Sequence, residues 1–202
     1  MVVPMTDVLP EPGDLCVVNT LNQASAAVQL LQWLSTRKFS QWNHVCVCTS
    51  VSLHGEITIA EAEASGAVLV PWHYEDVPHQ WSTGVLPTNA AVAAAAARYT
   101  QPGPWGPHGV PYSWLDYAAI AARRWHVPVP GLRGFIKATG HMMCSQLADA
   151  CKQAGNVHLF EDNRWAGYVA PDDIGALLPA GQWTGAWKWT GAKWQENQAQ
   201  SR

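Results

Sequence analysis

The segment from His44 to Val70 restricts the fold more than any other part of the chain. His44-Val45-Cys46-Val47-Cys48 reads as a strand, and His54-Gly55 marks a turn. Glu56 to Ala62, with Ile57, Thr58 and Ile59, then reads as the antiparallel neighbour. Ser65-Gly66 is a second turn, followed by a strand from Ala67 to Val70. Strand, turn, strand, turn, strand is a β-meander. Two short turns leave those strands little freedom to pair with anything but one another.

The rest of the chain reads mostly as helix and loop. A short buried strand, Leu15 to Val18, follows the turn at Gly13-Asp14. Asn22 or Ser25 can cap a helix with apolar positions at Ala27, Val28, Leu30, Leu31 and Leu34. Pro71 to Pro87 reads as irregular and is rich in Trp, His and Pro. Asn89 caps an alanine-rich helix reaching Tyr99, and Ser113 caps another from Trp114 to Trp125. Pro- and Gly-rich loops cover 101–111 and 127–140. Ala170-Pro171-Asp172-Asp173 reads as a short helix start with proline near its first position. The expectation is an α+β fold, with a small antiparallel sheet packed against helices. The 202 residues suffice for one sizeable core, divided as a lead-in (1–12), a main domain (13–180) and a Trp-rich tail (181–202). The tail repeats Trp-Thr-Gly-Ala at 183–186 and 189–192, and reads as a terminal strand or as partly disordered.

One further helix carries chemistry. After Thr139-Gly140, the positions Leu147, Ala148, Cys151 and Ala154 fall three and four apart, predicting a helix from His141 to Ala154. Cys144 then stands in its first turn, where unpaired N–H groups and the helix dipole favour a thiolate. The plainer alternative is a small buried residue. A nucleophilic cysteine needs a base, and the base needs an orienting group. The hairpin brings the start of the His44 strand near the end of the next one, side by side with Glu61. Glu61 shares its face with Ile57 and Ile59, so a carboxylate on an apolar face requires a partner. Glu63 shares that face too, and alternation does not separate the two. His141 is a second candidate base.

These residues stand in a sequence of short motifs: Gly13-Asp14-Leu15, Trp42-Asn43-His44-Val45, Ile59-Ala60-Glu61-Ala62 with Gly66 following, Tyr112-Ser113-Trp114-Leu115-Asp116, Met143-Cys144-Ser145, and Ala170-Pro171-Asp172-Asp173. Their order resembles the circularly permuted branch of the NlpC-type papain-like cysteine peptidases, with relatives among YiiX-like and lecithin retinol acyltransferase-like proteins. The resemblance spans roughly residues 13–178. It implies a papain-like fold with Cys144 as nucleophile, His44 as base and Glu61 as orienting residue. It also implies substrates such as peptidoglycan stem peptides, other amides or lipid acyl esters. Tyr112 and Trp42 are the candidate substrate-contacting aromatics. Cys46 departs from the glycine common in the family after the His-Val pair. Residues 71–111, with His73, His79, Trp81, Trp105 and His108, are less family-like and read as a lid or substrate wall.

Composition narrows the classes. The net charge of −3 with no basic run argues against nucleic acid. No signal peptide is visible, so the expected setting is cytoplasmic or phage-associated. The longest apolar run, Ala90 to Ala97, is too short to span a bilayer, so no stable membrane insertion is expected. No histidine pair has metal-site spacing and the five cysteines are scattered, so neither metal nor other cofactor is expected. The enzyme reading is a thiol hydrolase cleaving an amide in a peptide or peptidoglycan fragment. The alternatives are a non-catalytic binding or virion-structural module on the same fold, and a lipid acyltransferase or esterase. The sequence leaves the oligomeric state open.

Overall fold

The structure, a computed structural model, describes residues 9–20, 29, 33, 40–103, 108–113, 122, 125–127, 131, 140–162, 166–180, 187–189 and 194–196. The expected helices at 27–34 and 114–125, and Asp116 with them, lie almost wholly outside these residues. The fold is α+β. Strands β1 (Leu15–Val18), β2 (His44–Val51), β3 (Ile57–Glu63), β4 (Gly66–Pro71) and β5 (His79–Trp81) form one sheet in the order β4-β3-β2-β1-β5. Every neighbouring pair is antiparallel. The meander is β2-β3-β4, as the turns predict. Gly55 adopts φ 84 at the first turn, and Glu63 pairs with Gly66 across the two-residue second turn.

Strand β5 lies in the segment read as irregular. Three residues, His-Gln-Trp after a proline, carry too little pattern to announce a strand. What makes them one is tertiary: they pair with the outer edge of β1, and Leu15 N–H donates to Ser82 Oγ at 2.9 Å.

Alternation gives the sheet two different faces. Leu15, Val17, Val45, Val47, Ala60, Ala62 and Ala67 point to one side, in the core they share with helices α1 (Ala90–Tyr99) and α2 (Cys144–Ala154). Cys16, Val18, Cys46 and Ile59 point to the other, where Trp72, Tyr74, Val77 and Trp81 cover them. The stretch from Trp72 to Trp81 therefore lines the second face.

Asn89 caps α1 as expected, accepting from Ala91 N–H at 3.0 Å and Val92 N–H at 3.2 Å. Its amide also donates to Gly155 O at 2.9 Å, which ties the start of α1 to the end of α2. A Cβ on Gly155 would lie 2.4 Å from Val92 Cγ2, so only glycine permits this approach. One turn earlier, buried Lys152 donates from Nζ to Pro87 O at 2.7 Å, and burial pushes its pKa down to about 8. Helix α3 (Pro171–Gly175) starts with Pro171, as expected, and Asp173 accepts from Ala170 N–H at 2.8 Å. In the tail, β6 (Trp187–Trp189) and β7 (Trp194–Glu196) pair antiparallel as a separate two-stranded sheet.

Candidate active site

Helix α2 begins at Cys144, three residues later than its periodicity suggests. The reason is that Met142 is held in a bridge and Met143 is extended. Met142 bridges Tyr112, its N–H donating to Pro111 O at 2.9 Å, and its carbonyl accepts from Ser113 N–H at 3.3 Å. Cys144 is thus the first helical residue, and its own N–H is among the first-turn donors without an intrahelical acceptor. The next residues lock that start. Gln146 Oε1 accepts from Met143 N–H at 3.0 Å while its Nε2 donates to Gly167 O at 3.1 Å. Ser145 Oγ donates to Val169 O at 2.7 Å.

His44 is the first residue of β2, and the residues before it are as firmly held. Asn43 donates to Asn19 Oδ1 at 3.0 Å and accepts from Thr20 N–H at 3.1 Å. Trp42 N–H donates to Ser40 Oγ at 3.0 Å, and Ser40 Oγ also lies 3.0 Å from Asp172 Oδ1 on α3. Trp42 itself is 1 % exposed, and its ring fills the place a Cβ on Gly175 would need. The candidate substrate-contacting Trp42 thus sits in the core beside the His44 strand.

Glu61 is fully buried on β3. His44 Nε2 lies 2.7 Å from its Oε2, and Tyr74 Oη donates to the same oxygen, also at 2.7 Å. Glu61 Oε1 is buried and accepts no hydrogen bond, while His73 Nε2 stands 3.6 Å away from it. The side-chain contact, not the strand register, decides between the glutamates. Glu61 pairs with Cys46, so His44 reaches it diagonally rather than as a direct neighbour. Glu63, one pair further out, is at the strand end and exposed.

His44 and Glu61 belong to the aromatic-covered face, whereas Cys144 belongs to the helix-side core. His44 links the two because it sits at the strand end. Cys144 acts on it both as a charge and as a side-chain hydrogen-bond partner. Burial alone would push the His44 imidazolium down, but Cys144 and Glu61 together outweigh it and raise the pKa to about 10. For Glu61, burial pushes upward, and the hydrogen bond and charge of His44, with Tyr74 and His73, bring the net shift down. Burial and the Glu61 charge push the Tyr74 phenol well above its ordinary value, so it stays a donor. Burial raises Cys46 well above the usual thiol range, and raises Cys48 and Cys151 to about 12.

The structure therefore brings together Cys144, His44 and Glu61. Tyr112 lies half-buried beside the extended strand that leads into Cys144. Glu61 is engaged by His44 and not by His141. Tyr74 and His73 are further partners of Glu61 that no sequence pattern announces. The available signal was the buried carboxylate itself, which has room for more donors than one histidine supplies. Among the described residues no group of three or more His, Cys, Asp or Glu side chains could hold a metal ion, and no helix is long and apolar enough to cross a membrane. No protein-family model matches the chain, and no curated protein matches it significantly.

Proposed function

We propose that the chain is a thiol hydrolase of papain-like architecture, permuted so that the histidine strand precedes the cysteine helix. Its proposed substrate is an amide in a peptide, and a peptidoglycan stem peptide fits best with the motif order in the sequence. The observation that carries the reading is His44 set between the buried carboxylate of Glu61 and the thiol at the start of α2. With Nε2 occupied by Glu61, Nδ1 is left to face the sulfur.

In this reading Cys144 Sγ attacks the carbonyl carbon as the thiolate. The oxyanion accepts a hydrogen bond from the Cys144 backbone N–H. His44 gives its proton to the leaving amine, and a thioester remains. Neutral His44 then takes a proton from water, whose oxygen attacks the thioester. Collapse releases the acid and restores the thiolate–imidazolium pair.

Incubation with peptidoglycan fragments and a panel of small amides, read by mass spectrometry, tests it. Cleavage by the wild type that Cys144→Ser abolishes is the expected result. Cleavage that survives in Cys144→Ser, or none from any substrate despite a reactive Cys144, sinks the hydrolase assignment. One observation favours a non-catalytic module on the same fold: Cys144 is 1 % exposed. Under that second reading a thiol probe labels all five cysteines slowly and alike.

A further inference from the structure

Two donors meet on one oxygen of Glu61. A carboxylate has two oxygens and roughly four acceptor sites, so a tyrosine present only to satisfy a buried charge would find Oε1 vacant. Tyr74 Oη instead goes to Oε2, the atom already engaged by His44, at the same 2.7 Å. Its ring is held in place by three others. Trp72 meets it edge-on at 5.5 Å between centroids, His73 at 4.1 Å and His44 at 5.8 Å. The backbone is anchored just upstream, where Trp72 N–H donates to Ile57 O at 2.9 Å. The phenol is thus aimed at Oε2 by ring packing as well as by its hydrogen bond, and two of those rings, His44 and His73, themselves face Glu61.

We infer that Tyr74 is a positioning residue, which fixes Oε2 of Glu61 against His44 Nε2 and thereby keeps the imidazolium aligned with the Cys144 thiolate. This rests on the hydrolase reading of the same site. Tyr74 touches no reacting atom. Its hydroxyl favours the ionised carboxylate, and the ionised carboxylate holds the proton on His44. The titratable groups around Glu61 are His44 and Cys46 from β2, Glu63 on its own strand, and His73 and Tyr74 from the segment after β4. Cys144 acts through His44. Removing the Tyr74 hydroxyl takes a charge-assisted bond from a carboxylate that water cannot reach. Glu61 then becomes easier to protonate, and the acid limb of Cys144 reactivity moves up in pH.

The test is the pH profile of iodoacetamide alkylation at Cys144, read by mass spectrometry on full-length wild type, Tyr74→Phe, Glu61→Gln, the double variant and His44→Ala. Phenylalanine keeps the ring contacts and removes only the hydroxyl. Tyr74→Phe should move the acid limb up by about one pH unit and slow alkylation on that limb about tenfold, the scale of one hydrogen bond to a charged group. In the Glu61→Gln background the same change should add nothing, because the charge it serves is gone. An acid limb unmoved in Tyr74→Phe while His44→Ala slows alkylation overturns the role of Tyr74 and leaves the hydrolase reading standing. An equal effect of Tyr74→Phe with and without Glu61 also overturns it, since loss of packing alone would act that way. Alkylation indifferent to His44→Ala overturns both.

Discussion

Glu61 carries more of this account than its single charge suggests, because it is fully buried and its neighbours determine which state it holds. Its pKa is lowered in the folded protein, so it contributes stability above its ordinary value of 4.5, and that contribution is lost as pH falls through the lowered folded value. His44 has the opposite sign. Its pKa rises from 6.5 to about 10, so its contribution is complete below 6.5 and lost as pH rises through about 10. Thermal melts of the wild type should therefore fall on the alkaline side, between neutrality and pH 10, and His44→Ala should flatten that slope. A slope unchanged in the variant means that some other group titrates there. Swapping the two glutamates separates them. Glu61→Gln should slow Cys144 alkylation near neutral pH by an order of magnitude, as expected for loss of a buried, hydrogen-bonded charge partner. Glu63→Gln, at the exposed end of β3, should leave it within about twofold. The reverse order would place the orienting carboxylate at Glu63.

At the scale of elements, the start of α2 and the junction of α1 with α2 control where the sulfur sits. Gln146→Ala leaves the buried Met143 N–H without its acceptor, which should cost about 1–3 kcal/mol in chemical denaturation. It should also slow Cys144 alkylation, because the first turn is no longer pinned. Asn89→Ala should cost about 1–2 kcal/mol as a lost N-cap, and here Cys144 reactivity should follow only the global stability. A variant of Gln146 that melts early yet alkylates like wild type would show that the helix start is set by other contacts. The elements that were legible in the sequence are those with a local signature: the meander through its two turns, α1 through Asn89, α3 through Pro171. Strand β5 was not legible, since it exists by pairing with β1. The start of α2 lies three residues later than periodicity predicts for a similar reason: Met142 is held by pairing with 111–113, which no local pattern reports. The juxtaposition of His44 with Glu61 was legible from alternation and the turn, although the contact proves diagonal. Tyr74 was not, because it reaches Glu61 from a segment without periodicity. The burial of Trp42 depends on α3, far along the chain, and an aromatic beside a candidate base gives no local hint of it.

At the scale of the whole molecule, the sheet separates two environments that the site must join. One face and both longer helices form the core that holds Cys144, and the other face holds Glu61 under a cover of aromatic side chains. His44 joins them from the strand end, so the site exists only when both faces are packed. Among the described residues, β6 and β7 form their own sheet and pair with none of the five main strands. A chain ended after Ala180 should accordingly keep its circular dichroism spectrum and its Cys144 alkylation rate within about twofold, and a collapse of either would assign the tail a part in the core. The measurement that bears most directly on the central claim is alkylation of Cys144 at pH 6 in wild type and His44→Ala, with Cys151 as internal reference. Removing the imidazolium should take away the charge partner of the sulfur and slow Cys144 by about tenfold or more. Equal rates in the two proteins, with Cys144 no faster than Cys151, would contradict the account and leave a structural cysteine at the start of a helix.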